Sequence, residues 1–250
     1  MWFDIAVVET IRNAVPTRLA VVLLLISFLG SVYVIVPVVA AAVVSNVRWR
    51  TSELDTWPGI VIGGYGLFVS LKPLFSVHRP PVDPPFTRET LPLWLEPLYG
   101  LGVGFGSASF PSGHALAATV FWGLVVLELP IATRRKRALV GGAVVALVCL
   151  SRVALGVHYP GDVVAGVGLG LLYLGVVHRL RALAADPVRL TLLVGGALAA
   201  GGFLSGRYVD AAILLAAATV AGTGHWLRVR SGTSPRASRS DGGSDSNSSL

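Results

Sequence analysis

Charge is scarce in this chain: only 13% of its 250 residues are Asp, Glu, Lys or Arg, while 54% are hydrophobic. A soluble domain carries about 25% charged residues, so a water-exposed globular fold is excluded. A mean hydropathy of +0.72 marks a polytopic membrane protein. Cysteine is nearly absent. Cys149 stands alone, so no intramolecular disulfide can form and the redox compartment is unreadable; inside an apolar run it reads as a small packing residue. The N-terminus lacks the short apolar block and cleavage site of a removable signal peptide. Residues 1–18, MWFDIAVVETIRNAVPTR, are instead expected to form an interfacial amphipathic segment, with Trp2, Phe3, Ile5 and Val8 toward lipid and Asp4, Glu9 and Arg12 toward water. The last twenty residues, from Ser231, hold eight serines and no aromatic residue, and 229–250 are expected to be a disordered cytoplasmic tail.

What the sequence does have is long apolar runs. One helical crossing of a ~30 Å hydrocarbon core takes about 17–25 apolar residues. Seven runs qualify, at about 19–44, 57–75, 111–129, 138–156, 161–178, 190–206 and 208–226. The expected fold is an all-α polytopic bundle of six or seven transmembrane helices spanning residues 19–228. The net charge of +7 raises nucleic acid as a partner, but the basic residues sit in short blocks between runs, as topology signals do, and no nucleic-acid partner is expected. If the second and fourth runs travel outward, 13 of the 20 basic residues lie inside, RRKR at 134–137 among them. The positive-inside rule then gives an outer N-terminus and a cytoplasmic tail.

Parity of crossings places three polar blocks on one face of the membrane: KPLFSVHRP (72–80), PSGH (111–114) and SRVALGVHYPGD (151–162). Each alone has an ordinary explanation. Lys72 and Arg79 snorkel readily to headgroups, Ser112 is a good helix cap with His114 a helix-end hydrogen-bonder, and His158 with Asp162 makes a local helix-capping bond. Together they offer more. Lys72, Arg79 and Arg152 are cations suited to phosphate oxygens. Pro111 suits the first position of a helix, leaving the Ser112 and Gly113 amides free for an anion. Pro160 starts the next helix with Asp162 in its first turn, where a carboxylate can fix the tautomer of His158. The shared chemistry is an anion with several oxygens.

In order and spacing these blocks read K-x6-R-P, P-S-G-H and S-R-x5-H-x3-D, and on these residues the chain resembles the type 2 phosphatidic acid phosphatase superfamily, in its membrane lipid phosphatase branch. The match covers about residues 57–180. The resemblance implies a metal-independent phosphatase with no cofactor: His158 as the nucleophile, Asp162 orienting it, His114 as acid and then base, and Lys72, Arg79, Ser112, the Gly113 amide and Arg152 holding the phosphate. No metal site is expected, since three cations would repel the dication that a His-plus-Asp zinc site requires. The family implies a lipid phosphate or diphosphate as substrate and membrane lipids as surroundings. Phosphatidic acid, phosphatidylglycerol phosphate and polyprenyl diphosphate all stay open, as does the oligomeric state. The site is expected on the non-cytoplasmic face of the cell membrane. Trp94, Leu95, Leu98, Tyr99 and Phe105, between the first two blocks, are candidates for a lid or lipid entrance, or else a simple interfacial anchor. A phosphotransferase using an alcohol acceptor, and an anionic-lipid transporter, are the competing functions; the transporter has no use for an oriented base. A seventh crossing would exceed the family's usual six-helix core, and Gly166 and Gly170, four apart, suit helix packing.

Overall fold

The computed structural model describes residues 2–49, 53–75, 77–103 and 108–231. Ten α-helices follow one another: α1 (Ile5–Asn13), α2 (Thr17–Ser27), α3 (Val32–Trp49), α4 (Trp57–Leu71), α5 (Glu96–Val103), α6 (Gly113–Glu128), α7 (Arg134–Ala154), α8 (Pro160–Leu183), α9 (Pro187–Leu204) and α10 (Tyr208–Arg230). Four of them, α7 to α10, are each long and apolar enough to cross a membrane alone, and α6 is a shorter apolar helix. The expected first run, 19–44, is not one helix: a 3₁₀ turn at Phe28–Gly30 and an extended Ser31 divide α2 from α3. The reason is contact with α6. A Cβ on Gly30 would come within 2.6 Å of the His114 carbonyl, so the chain bends where only glycine lets the two backbones approach.

Sequence-expected boundaries shift mostly at the polar ends. The RRKR block lies inside the first turn of α7, capped by the Thr133 hydroxyl accepting from Lys136 N–H at 3.3 Å. α10 continues to Arg230, into the first residues of the expected tail of 229–250; residues 232–250 lie outside the described residues. Residues 1–18 hold α1, set at 115° to the α2 passage. Its apolar side does not all face lipid: Val8 is fully buried and Ile11 packs against Ala115, Val153 and Val163.

The ends of the bundle are polar in different ways. At the end opposite the three blocks, Glu128 of α6 pairs with Arg181 of α8 and accepts from the Trp57 indole N–H of α4 at 2.6 Å, while Arg181 donates to the Thr56 hydroxyl at 3.0 Å. This buried ion pair ties three helices. His178 (2.8 Å from Arg181) and His225 (3.4 Å from Asp186) belong to this end. Between the ends, glycines form the seams. A Cβ at Gly166 would stand 2.6 Å from the Ser112 carbonyl and one at Gly170 2.9 Å from Thr119, which presses α8 onto α6. Gly59 and Gly66 press α4 onto α9 in the same way, and Gly63 admits Tyr173 of α8 beside Gly195 of α9, as small residues do where lipid-embedded helices touch.

The seam gives a matched test. Gly166→Val forces α8 off α6 and is expected to cost about 1–3 kcal/mol of stability. Gly168→Ala, where an added Cβ meets nothing within 4 Å, is expected to be neutral or to gain about 0.5–1 kcal/mol. Melting midpoints of the two variants in one detergent check both.

Candidate active site

The third block is built by a helix stop and a helix start. α7 ends in a Schellman turn: Gly156 (φ +74°) donates its N–H to the Val153 carbonyl at 2.9 Å, and Val157 donates to the Arg152 carbonyl at 3.2 Å. The left-handed φ requires glycine, and the turn hands the chain directly to His158. Pro160 is the first residue of α8. Asp162, one turn in, uses a single oxygen twice: Oδ2 accepts from His158 Nδ1 at 3.1 Å and from the Tyr159 N–H at 2.9 Å. A carboxylate can only accept, so Nδ1 carries the proton and the Nε2 lone pair points away from Asp162. His158 is 2% exposed and Asp162 fully buried.

Backbone bonds draw the other blocks in. The Ser112 N–H donates to the Asp162 carbonyl at 3.0 Å, joining the starts of α6 and α8. Ser109, just upstream, donates its N–H to the Val77 carbonyl at 2.8 Å and its hydroxyl to the His78 carbonyl at 3.1 Å, and His78 pairs with Ala108 in an antiparallel bridge. The segment carrying Arg79 is thereby stitched to the start of PSGH. Ser109 was not singled out by sequence: a serine before PSGH carries no periodicity, and its value lies in these contacts.

All eight expected site residues reach this end of the bundle. His114 lies within electrostatic reach of Arg152, His158, Arg79 and Lys72. Arg152 is 1% exposed, and its Nε and Nη1, with Arg79 Nε, His114 Nε2 and Asp162 Oδ1, are buried without a hydrogen-bond partner in the protein. Burying such donors unpaired is costly. A polyoxygen anion would satisfy the guanidinium donors, so the donor set fits phosphate. Among the described residues no three His, Cys, Asp or Glu side chains stand close enough together to hold a metal ion.

Three expectations at PSGH need correction. α6 begins at Gly113 with Ser112 as its cap, so Pro111 precedes the helix instead of opening it. The Ser112 amide is not free for an anion, since Asp162 takes it; the Ser112 hydroxyl accepts from the Ala115 N–H at 3.4 Å. Gly113 does admit a close neighbour, but that neighbour is the Phe68 ring, 2.8 Å from where a Cβ would stand. The same ring lies 4.8 Å from Lys72 Nζ, so Gly113 positions Lys72 through Phe68. Of the expected lid, Leu95 is buried, Leu98 and Tyr99 pack with Phe86, Leu155 and Val157, and Trp94 is exposed; Phe105 lies outside the described residues. His78 is exposed and takes part through its backbone.

Electrostatics follow from crowding cations around buried groups. His158 is held well below its usual range, first by burial and then by Arg152, Arg79 and Lys72, which keeps the imidazole neutral and its Nε2 lone pair unprotonated. Lys72 is pushed down to about 8 by burial, with Arg79 adding to the effect.

A membrane-embedded helical bundle that arrays guanidinium groups around an oriented, neutral histidine belongs to the class of membrane phosphoryl-handling folds. The chain is a member of the PAP2 superfamily, whose family model matches residues 57–185. It is 33% identical over 132 residues to phosphatidylglycerophosphatase B of Bacillus subtilis (strain 168), an alignment covering 46% of this chain and 62% of that protein. It is also 33% identical over 82 residues to glucose-6-phosphatase catalytic subunit 1 of Haplochromis xenognathus, covering 28% of this chain and 30% of that one. The chain thus spans less than two thirds of these relatives' length. Its fold is similar to the crystal structure of a transmembrane PAP2 type phosphatidylglycerolphosphate phosphatase from Bacillus subtilis, with a TM-score of 0.56 at 24% identity, covering 71% of this chain and 83% of the other.

The depressed Lys72 makes anion affinity pH-dependent. Its cation is complete below pH 8 and lost as the pH rises through about 8, so affinity for sulfate, whose own charge is fixed in this range, is expected to fall above that pH. In Lys72→Arg the step near pH 8 should vanish, which calorimetric titration of sulfate at several pH values checks.

Proposed function

We propose that this protein hydrolyses the terminal phosphate of a lipid phosphate or diphosphate, without a metal ion or cofactor, at the non-cytoplasmic face of the membrane. The observation that carries the reading is the His158 to Asp162 pair set among buried guanidinium donors that have no protein partner. His158 Nε2 attacks phosphorus, the bond from phosphorus to the alcohol oxygen breaks, and His114 gives that oxygen its proton. Water then attacks the phosphohistidine, His114 takes a proton from it, and the phosphorus–nitrogen bond breaks to release inorganic phosphate and restore His158. Asp162 holds the Nδ1 proton and stabilises the positive imidazole of the intermediate. Lys72, Arg79 and Arg152 neutralise the charge on the equatorial oxygens.

The membrane setting supports a lipid as the phosphate carrier, and the distribution of basic residues supports the outer face. The Bacillus relative, a phosphatidylglycerophosphatase, makes phosphatidylglycerol phosphate the first substrate to test, beside phosphatidic acid and polyprenyl diphosphate.

Phosphate release from such a panel is expected to persist in excess chelator and to fall by at least about 10³-fold in His158→Ala; release abolished by the chelator would overturn the metal-free mechanism. His114→Ala is expected to lose about 10²–10⁴-fold on alkyl phosphates and much less on p-nitrophenyl phosphate, whose leaving oxygen departs unprotonated. An equal loss on both would remove His114 from the acid role.

A further inference from the structure

Outside the fixed letters of the three blocks, a chain of aromatic rings bridges all of them. Phe75 lies in the first block, Phe110 directly precedes PSGH, and Tyr159 directly follows His158. Phe75 meets Phe110 edge to face with centroids 4.9 Å apart, Phe110 meets Phe3 at 6.0 Å, and Phe3 meets Tyr159 at 5.8 Å. Phe3 is a visitor from the N-terminal arm. It is held by the Gly161 N–H, a first-turn amide of α8, which donates to the Trp2 carbonyl at 2.9 Å. The arm is anchored again where Arg12 donates to the Asp83 and Pro84 carbonyls at 2.9 and 3.3 Å.

Linked in this chain, Phe3 and Phe75 remain 48% and 41% exposed, with Trp2 and Leu74 more open still at 60% and 69%. The result is an apolar surface continuous, through Tyr159 and Phe110, with the residues that gather the anion. Its occupant must be apolar and joined to that anion. We propose that Phe3, Phe75, Phe110 and Tyr159 form the subsite for the neck of a phosphate-bearing lipid, the segment where its apolar chain meets the phosphate ester, and that the N-terminal arm completes this subsite with Phe3. This deepens the phosphatase reading and rests on it for the phosphate end of the ligand. It also gives the amphipathic N-terminal segment a task at the site itself. A soluble phosphate ester uses the cations but leaves the rings unfilled, so the subsite acts as a selector for amphiphiles.

Binding of alkylphosphonates, whose carbon–phosphorus bond is not hydrolysed, tests this without turnover. Calorimetry on the full chain in detergent gives the ratio of affinities for decylphosphonate and methylphosphonate. Phe3→Ala is expected to lower that ratio about tenfold, the loss of one aromatic wall from an apolar contact, and Phe75→Ala to lower it similarly. Leu183→Ala, at the exposed last residue of α8 at the opposite end, should leave it at the wild-type value. A ratio unchanged in folded Phe3→Ala and Phe75→Ala overturns the subsite. So does an equal loss of both affinities, which would mean that the arm only positions the His158 turn. If the wild type cleaves no lipid phosphate while the aromatic variants still lower the ratio, the phosphatase reading fails and the subsite stands.

Discussion

Arg152 is the constraint around which the rest is arranged. A guanidinium 1% exposed, with two nitrogens unpartnered in the protein, is among the most expensive groups a membrane bundle can hold. The fold sets Arg79 and Lys72 near it, and Asp162, the carboxylate of the third block, spends one oxygen on His158 and the Tyr159 amide. Local charge is therefore far from balanced. Such a site is stabilised most by a ligand carrying several negative oxygens, and the same imbalance keeps His158 neutral, with its Nε2 lone pair unprotonated. The anion-binding character of the site and the neutral state of His158 have one physical origin.

Holding like charges together takes rigidity elsewhere. The Ser112 to Asp162 backbone bond fixes the starts of α6 and α8, the glycine seam at Gly166 and Gly170 presses the two helices together below it, and the Glu128–Arg181 pair clamps their far ends. Gly30 lets the break between α2 and α3 lean on His114. Each contact is a close backbone approach or a buried polar bond, with little room for adjustment, and the site inherits that stiffness.

The helical bundle and the convergence of the three blocks were legible because apolar run length and crossing parity are one-dimensional properties. Lys72, Arg79, His114, Arg152, His158 and Asp162 could be named from the residue types of the three polar blocks and from the family resemblance that those blocks carry. What spacing could not show was which partner each group takes. Ser112 looked like an anion donor, but its amide belongs to Asp162; Gly113 looked like an anion cradle and is the seat of Phe68. The break in the 19–44 run is invisible to hydropathy, since its cause is the His114 carbonyl far along the chain. Ser109, Phe3 and Phe110 carry no motif, and their roles arise only from long-range contacts. Trp94, Leu95, Leu98 and Tyr99 were grouped by composition, yet the fold leaves Trp94 open and puts Leu95 in the core.

The central claim is that the oriented His158 forms a bond to phosphorus. The most direct measurement is a rapid acid-free quench of the enzyme with lipid phosphate labelled in its terminal phosphate, in chelator, followed by peptide mapping. The account predicts an alkali-stable, acid-labile label on the peptide containing His158, formed and lost at rates compatible with turnover. A fully active enzyme that turns over without any label on that peptide, or with the label elsewhere, would contradict it.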